Sequence, residues 1–169
     1  MSQTDTQSDW KAIEGGCSCR AIRYKVNREP LVVHCCHCTW CQRESGSAFA
    51  VNAMVETSEV SLLEGSPELS ERPTNSGKIQ KIARCPNCQV VVWGHYAAAG
   101  DAISFIRVGT LDQPESCQPD IHIFTSSKQP WVILPEGKRA FAEFYDVPAQ
   151  WSASSMARVK ALQAQQQQQ

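Results

Sequence analysis

The sequence predicts a mainly β, single-domain protein built from short antiparallel strands. Three observations carry that expectation. Apolar and polar residues alternate in short runs, the period-two pattern of a half-buried strand. Glycines and prolines cut these runs apart at close intervals. The length, 169 residues, is that of one ordinary domain, large enough to bury a core without disulfide staples, and no internal repeat divides it.

In chain order, Met1 to Asp9 reads as a disordered tail, and the domain is expected over 10–147. Gly15-Gly16 reads as a turn leading into Cys17-Ser18-Cys19. From Arg20 to Asn27, Ile22, Tyr24 and Val26 share one face while Arg23 and Lys25 share the other, which predicts a strand. Pro30 breaks it, and Leu31-Val32-Val33 is a short apolar strand running into a thiol-rich loop. One helical turn is expected over Gln42 to Gly46, then β structure over Ala48 to Val55 and Val60 to Glu64. The Pro, Ser, Asn and Gly content between Gly65 and Gly77 predicts an irregular excursion. Lys78 to Arg84 reads as a strand ending on Cys85-Pro86-Asn87-Cys88, and Val90 to Trp93 and Ile103 to Val108 as further strands. Pro114 to Pro119 reads as a loop and His122-Ile123-Phe124 as one more strand. Phe141 to Val147 is apolar enough to lie against the body. Over 148–169 the composition shifts to Ala, Ser and Gln; Trp151, Met156, Val159 and Leu162 suggest a weak helical stripe, with a solvated tail as the alternative.

The formal net charge of −1, with no basic run, gives no footprint for nucleic acid or an anionic membrane. No apolar run approaches the roughly 20 residues of a membrane helix, and the polar N-terminus lacks the pattern of a secretory signal. Nine cysteines without an export signal point to a reducing, cytoplasmic setting in which thiols stay free for metal.

Those cysteines carry the chemistry. His34 to Cys41 packs four thiols and two imidazoles into eight residues, a density that packing does not require. Within it Cys36, Cys38 and Cys41 form Cys-x-Cys-x-x-Cys, a spacing that aims three sulfurs at one point, as a tetrahedral zinc needs. Cys17-x-Cys19 and Cys85-x-x-Cys88 are two further pairs, each delivered by a turn, the pattern of a closed four-thiolate zinc site that ties distant strands together. Two zinc ions per chain are therefore expected, one structural and one over Cys36, Cys38 and Cys41. That second ion is either catalytic, with an open fourth position, or structural, with a fourth ligand from His34, His37, Cys35, His122 or Cys117. Cys35-x-x-Cys38 is also a valid pair, but only Cys36 completes the three-sulfur spacing. Cys117 reads as a plain loop cysteine. His122, between Ile121 and Ile123, reads as a buried core histidine, with a pocket role as the alternative.

Gly16-Cys17-Ser18-Cys19, Cys36-His37-Cys38-x-x-Cys41-Gln42-Arg43, Cys85-Pro86-x-Cys88, Val108-Gly109-Thr110-Leu111-Asp112 and His122-Ile123-Phe124-x-x-x-Lys128-x-Pro130-Trp131 stand in this order in the chain. The set resembles the glutathione-dependent formaldehyde-activating enzyme family, also called S-(hydroxymethyl)glutathione synthases and including centromere protein V. The resemblance runs from about Gly15 to Phe144. It implies a zinc-containing β-tent fold, a structural zinc on Cys17, Cys19, Cys85 and Cys88, and a catalytic zinc on Cys36, Cys38 and Cys41. The implied activity is that of a carbon–sulfur lyase joining a small thiol such as glutathione to formaldehyde or a related small aldehyde, or reversing that step. Arg43, Arg107 and Lys128 are candidates to meet the carboxylates of glutathione, with solvated surface charge as the plain alternative. Gln89 stands where the family commonly has Gly, and Cys35 is an added thiol. A non-catalytic zinc module for a protein partner is the alternative function. A B-type methionine sulfoxide reductase fits poorly, because Cys117 sits in Glu-Ser-Cys-Gln-Pro rather than Arg-x-Cys-x-Asn.

Overall fold

The computed structural model describes residues 10–74 and 76–167, so the tail expected over 1–9 and the last two glutamines lie outside the described residues. The elements begin with β1 (Ile13–Gly16), β2 (Arg23–Val26), β3 (Val32–Cys36), helix α1 (Thr39–Ser45), β4 (Ala50–Glu56) and β5 (Val60–Glu64). They continue with β6 (Glu68–Pro73), β7 (Ile79–Arg84), β8 (Val91–Tyr96), β9 (Ile103–Arg107), β10 (Ile121–Ile123) and β11 (Arg139–Ala140). Two helices follow, α2 (Val147–Gln150) and α3 (Ala153–Gln166). The protein is mainly β, with its described strands in two sheets. A three-stranded antiparallel sheet has the order β1-β2-β5. An eight-stranded sheet has the order β11-β10-β3-β4-β9-β8-β7-β6, antiparallel except that β10 runs parallel to β3 and β11.

The pleat of β3 and β4 divides the interior. Successive side chains of a strand point to opposite faces. Val33 and its partner Ala53 therefore enter one apolar cluster, with Tyr24, Val55, Val92 and Ile106. Val32 and its partner Met54 enter a second, with Ile103, Ile121 and Ile123. Cys17 and Cys85 are buried in the first cluster, Cys36 and Cys41 in the second. Each thiol group thus sits against its own core.

Two local expectations are corrected. Gly15-Gly16 is not the turn but the end of β1, paired with Tyr24 and Arg23. These positions exclude a side chain because the backbone is crowded: a Cβ on Gly15 would stand 2.6 Å from the Thr110 carbonyl oxygen, and one on Gly16 2.3 Å from that of Ile22. The span from Gly65 to Gly77 is not wholly irregular, since β6 pairs along its length with β7 at the sheet edge. Its Glu, Arg and Pro content is what an exposed edge strand carries to resist further pairing, and this composition mimics a loop.

The C-terminal segment closes the second core. Val147, Trp151, Val159 and Leu162 pack against it. Ser152 caps α3, its hydroxyl accepting from the Ser155 N–H at 3.0 Å, and the Ser155 hydroxyl donates to the Leu31 carbonyl at 2.7 Å. Arg158 of α3 is buried; its Nε donates to Glu56 Oε1 at 2.7 Å, a second nitrogen donates to Glu56 Oε2, and Nη1 donates to the Glu29 carbonyl at 3.0 Å. Removing one partner of such a pair leaves a buried charge uncompensated. Arg158→Met is therefore expected to cost about 3–5 kcal/mol, read by urea denaturation. Burial pushes the Glu56 carboxyl up, but the hydrogen bonds and charge of Arg158, together with a backbone hydrogen bond and the charge of Arg28, hold it below the ordinary glutamate value. A depressed folded pKa contributes stability that is present above the ordinary glutamate range and lost as pH falls through the lowered value. Arg158→Met should remove that part of the acid sensitivity.

Candidate metal centres

The first centre joins the two turns expected to hold it. After β1 the chain doubles back through a turn in which the Cys17 carbonyl accepts from the Arg20 N–H at 3.0 Å, and Arg20 takes a left-handed φ of 63°. The Ile22 N–H then donates to the Cys17 sulfur at 3.3 Å. After β7, the Cys85 carbonyl accepts from the Gln89 N–H at 3.0 Å. Gln89 adopts the left-handed φ of 62° that a glycine takes more cheaply, so the knuckle keeps its shape despite the substitution. The Cys17–Cys19 and Cys19–Cys85 sulfur separations are 3.5 and 3.6 Å, and all four sulfurs of Cys17, Cys19, Cys85 and Cys88 lie within 4.8 Å of one another. Tetrahedral zinc–sulfur bonds of about 2.3 Å place ligand sulfurs about 3.8 Å apart, whereas a cystine needs about 2.05 Å. All nine cysteines are free thiols. The donor set and its spacing suit a metal and exclude bridges. Backbone N–H groups of Val90 and Cys19 pull the Cys88 thiol down to about 6, which favours the thiolate a metal binds.

The second centre forms where β3 meets α1. Cys36 ends the strand, and Cys38 is the N-cap of the helix, its sulfur accepting from the Cys41 N–H at 3.3 Å. Cys41 lies on the buried side of the helix, which Gly46 terminates in a left-handed conformation with φ 64°. The helix starts earlier than Gln42 because Cys38 caps it. Cys36 and Cys38 sulfurs are 3.5 Å apart, and the three sulfurs of Cys36, Cys38 and Cys41 share the 4.8 Å grouping. Hydrogen bonds from the Cys36 and Cys41 thiols, with the N–H groups of Cys41 and Trp40, hold the Cys38 thiol below its ordinary value against its burial.

Strand register separates Cys35 from Cys36. β10 lies parallel to β3 with His122 opposite Cys35 and Ile123 opposite Cys36. Cys35 and His122 therefore share one face, and Cys36 faces the other with Ile123. His37 joins Cys35 and His122, its Nε2 standing 3.5 Å from the Cys35 sulfur and 3.0 Å from His122 Nδ1. That nitrogen–nitrogen separation is an imidazole–imidazole hydrogen bond, and burial pushes the Cys35 thiol up to about 12. His34 is engaged elsewhere: its Nε2 shares a 2.6 Å hydrogen bond with the Tyr145 hydroxyl, which accepts from Trp151 Nε1 at 2.6 Å. Burial pushes His34 down to about 4, leaving it neutral near pH 7. Cys117 is buried in the other core, its thiol raised to about 11 by burial. Thus, among the described residues, no His, Cys, Asp or Glu joins Cys36, Cys38 and Cys41 as a fourth ligand.

What adjoins the three thiols instead is a cavity of about 870 Å³, lined by Cys36, Cys38 and Cys41 among others. The Tyr96 hydroxyl also reaches it, 4.0 Å from the Cys41 sulfur, and burial keeps the phenol protonated by raising its pKa far above the ordinary value. Tyr96 carries no signal in the sequence, being one of several aromatic residues on strands. The loop after β10 braces the site: Gln42 Nε2 donates to the carbonyls of His37 and Ser127 at 2.7 and 2.9 Å, and the Ser127 hydroxyl to the His37 carbonyl at 3.0 Å. Arg43, Arg107 and Lys128 do not line the cavity. Arg107 donates to Asn52 Oδ1 at 2.6 Å, and Lys128 Nζ to the carbonyls of Gln129 and Val132 at 3.1 and 2.7 Å.

A crystal structure of a Rhodobacter sphaeroides protein, a structural genomics target, is similar to this chain with 18% identity and a TM-score of 0.44, the match covering 59% of this chain and 88% of that one. The family model described as glutathione-dependent formaldehyde-activating enzyme matches residues 12–127, a span that takes in both thiol groups and ends with the Ser127 that braces the second of them. With more than half of its length matched, the chain belongs to the glutathione-dependent formaldehyde-activating enzyme family.

Proposed function

We propose that this protein is a zinc-dependent carbon–sulfur lyase that adds a thiol, glutathione or a similar one, to formaldehyde or a related small aldehyde, and reverses that addition. In this reading Cys17, Cys19, Cys85 and Cys88 hold a structural zinc, and Cys36, Cys38 and Cys41 hold a catalytic one. One observation carries it: three converging thiols with no fourth side-chain ligand among the described residues, opening on a cavity. A closed four-ligand set is the mark of a structural site, and a three-ligand set of a catalytic one. Zinc bound there supplies acidification of an incoming thiol and its presentation as a thiolate.

The reaction needs little else. The thiol sulfur forms a bond to the carbonyl carbon, the carbonyl π pair moves to oxygen, and the proton lost by the thiol ends on that oxygen as a hemithioacetal. The cavity walls hold the two reactants together, converting an encounter into an intramolecular step. Tyr96, protonated and next to Cys41, is placed to donate a hydrogen bond to the oxygen as it gains charge. Tyr96→Phe should lower kcat about 10²-fold with zinc content unchanged. Nine free thiols fit a reducing, cytoplasmic setting for such an enzyme.

The test is exchange spectroscopy by NMR, measuring the rate at which formaldehyde and its hemithioacetal interconvert with a panel of thiols, with and without protein. Acceleration above the uncatalysed rate, lost in Cys38→Ser, is the expected result. No acceleration with any thiol would leave the chain as a zinc-binding module for a protein partner.

A further inference from the structure

We infer that Asn52, backed by Arg107, receives the glycyl carboxylate of glutathione and that Glu143 receives its ammonium, so that the tripeptide lies across the cavity in one orientation. The inference rests on the thiol–aldehyde reading just proposed and names the residues that select its thiol. Strand register places them. Cys36 of β3 pairs with Ala50 of β4, so Asn52, two residues on, points to the same face of the sheet as Cys36. Both line the cavity of about 870 Å³. Asn52 in turn pairs with Arg107 of β9, and Arg107 Nη1 donates to Asn52 Oδ1 at 2.6 Å. On the other side of β3 lies β10, and just past its end the Phe124 N–H donates to the Glu143 carbonyl at 3.2 Å. Glu143 also lines the cavity. Cys36 thus stands between an amide with a cation behind it and a carboxylate.

Asn52 suits an anion. A guanidinium can only donate, so its bond to Oδ1 fixes the flip of the carboxamide and turns the Nδ2 N–H groups away from it. Asn52 is 4% exposed, and its Nδ2 makes no hydrogen bond among the described residues. Two other donors in the lining are already committed: Trp40 Nε1 donates to Gln80 Oε1 at 2.7 Å, and the Ser127 hydroxyl to the His37 carbonyl at 3.0 Å. A carboxylate that leaves water needs donors and a nearby positive charge to replace its hydration. Asn52 supplies the donors. Arg107, set behind the lining, supplies the charge and polarises the amide through Oδ1. Glu143 has the opposite sign; its Oε1 accepts from the Ser126 hydroxyl at 2.6 Å, which leaves Oε2 for an ammonium. β4 and β10 are two strand spacings apart, about 10 Å, and an extended tripeptide also reaches about 10 Å. Glutathione carries its thiol on the middle residue, its ammonium at one end and its glycyl carboxylate at the other. That is the order of Cys36, Glu143 and Asn52 across the sheet, with the thiol group central.

The experiment uses the zinc-loaded full chain and S-methylglutathione, whose capped sulfur cannot become a thiolate, so that binding reports the cavity walls alone. Calorimetry compares it with two derivatives, one with the glycyl carboxylate converted to the amide and one with the amine acetylated. The amide is expected to bind about tenfold more weakly, since it loses a hydrogen bond to a charged group. The acetylated ligand should bind about threefold more weakly, because Glu143 is exposed and its ion pair is screened. Asn52→Ala and Arg107→Met should each bring acid and amide within about twofold of one another and leave the acetyl effect in place, and Glu143→Gln should do the converse. A merely structural role for Arg107 would weaken all three ligands alike. Equal affinity for acid and amide in the parent overturns the inference, as does an acid preference that survives Asn52→Ala, or no binding of any of the three. The parent comparison stands even where a variant folds poorly. A chain that accelerates thiol addition but does not tell acid from amide loses this inference and keeps the lyase reading. One that shows these preferences but accelerates no thiol addition keeps the inference as a binding preference and loses the lyase reading.

Discussion

Cys85→Ser should abolish cooperative folding. Cys85 is wholly buried, and its sulfur converges with those of Cys17, Cys19 and Cys88 from a turn 66 residues along the chain from Cys19. The turn after β1 belongs to the three-stranded sheet and the knuckle after β7 to the eight-stranded one, so a metal held by these four thiols would clamp one sheet to the other. A structural zinc contributes about 10–16 kcal/mol of apparent binding free energy, and that energy is folding energy. A domain of ordinary stability has only about 5–15 kcal/mol in total. Losing one of four thiolates therefore removes an amount comparable to the whole. Circular dichroism should show no cooperative melt for Cys85→Ser, and metal analysis should show the structural ion gone. Cys117→Ala, in the same core but outside the thiol cluster, should still melt cooperatively. A cooperative melt for Cys85→Ser would mean that apolar packing alone holds the sheets together.

Cys38→Ser should do the reverse, ending activity while sparing the fold. Cys38 is the N-cap of α1, and serine is a better cap than cysteine, so the hydroxyl keeps the bond to the Cys41 N–H and the helix survives. What disappears is one thiolate of three. Zinc per chain is expected to fall from about two ions to about one, because two thiolates no longer complete a site. The rate of thiol addition to formaldehyde should fall to the uncatalysed value, with the melting transition close to that of the parent. Unchanged zinc content would sink the three-thiolate assignment. Loss of folding would show instead that the second centre is structural.

The β body was legible because period-two alternation records one buried face: Ile22, Tyr24 and Val26 are buried as the pattern predicts, while Arg23 on the opposite face is buried too, through its pairing with Glu14 and Asp112. Edge strand β6 was not, since its exposed Glu68, Glu71 and Arg72 answer to solvent and leave no alternation to read. Gly15 and Gly16 were misread because a glycine that admits a neighbouring backbone is written with the same letter as one that turns.

Cysteine spacing along the chain was enough to specify two thiol groups, because ligands delivered by one short turn must converge wherever that turn lies. Which of Cys35 and Cys36 faces the site is a question of pleat and of pairing with β10, a partner more than 80 residues away. The cavity over the three thiols is a matter of still longer range, since Arg158 finds Glu56 across 102 residues and Leu162 lines the same cavity as Cys36 and Cys38. Local chemistry is encoded by local order. The shape and charge of the space that chemistry opens into exist only once distant segments have packed.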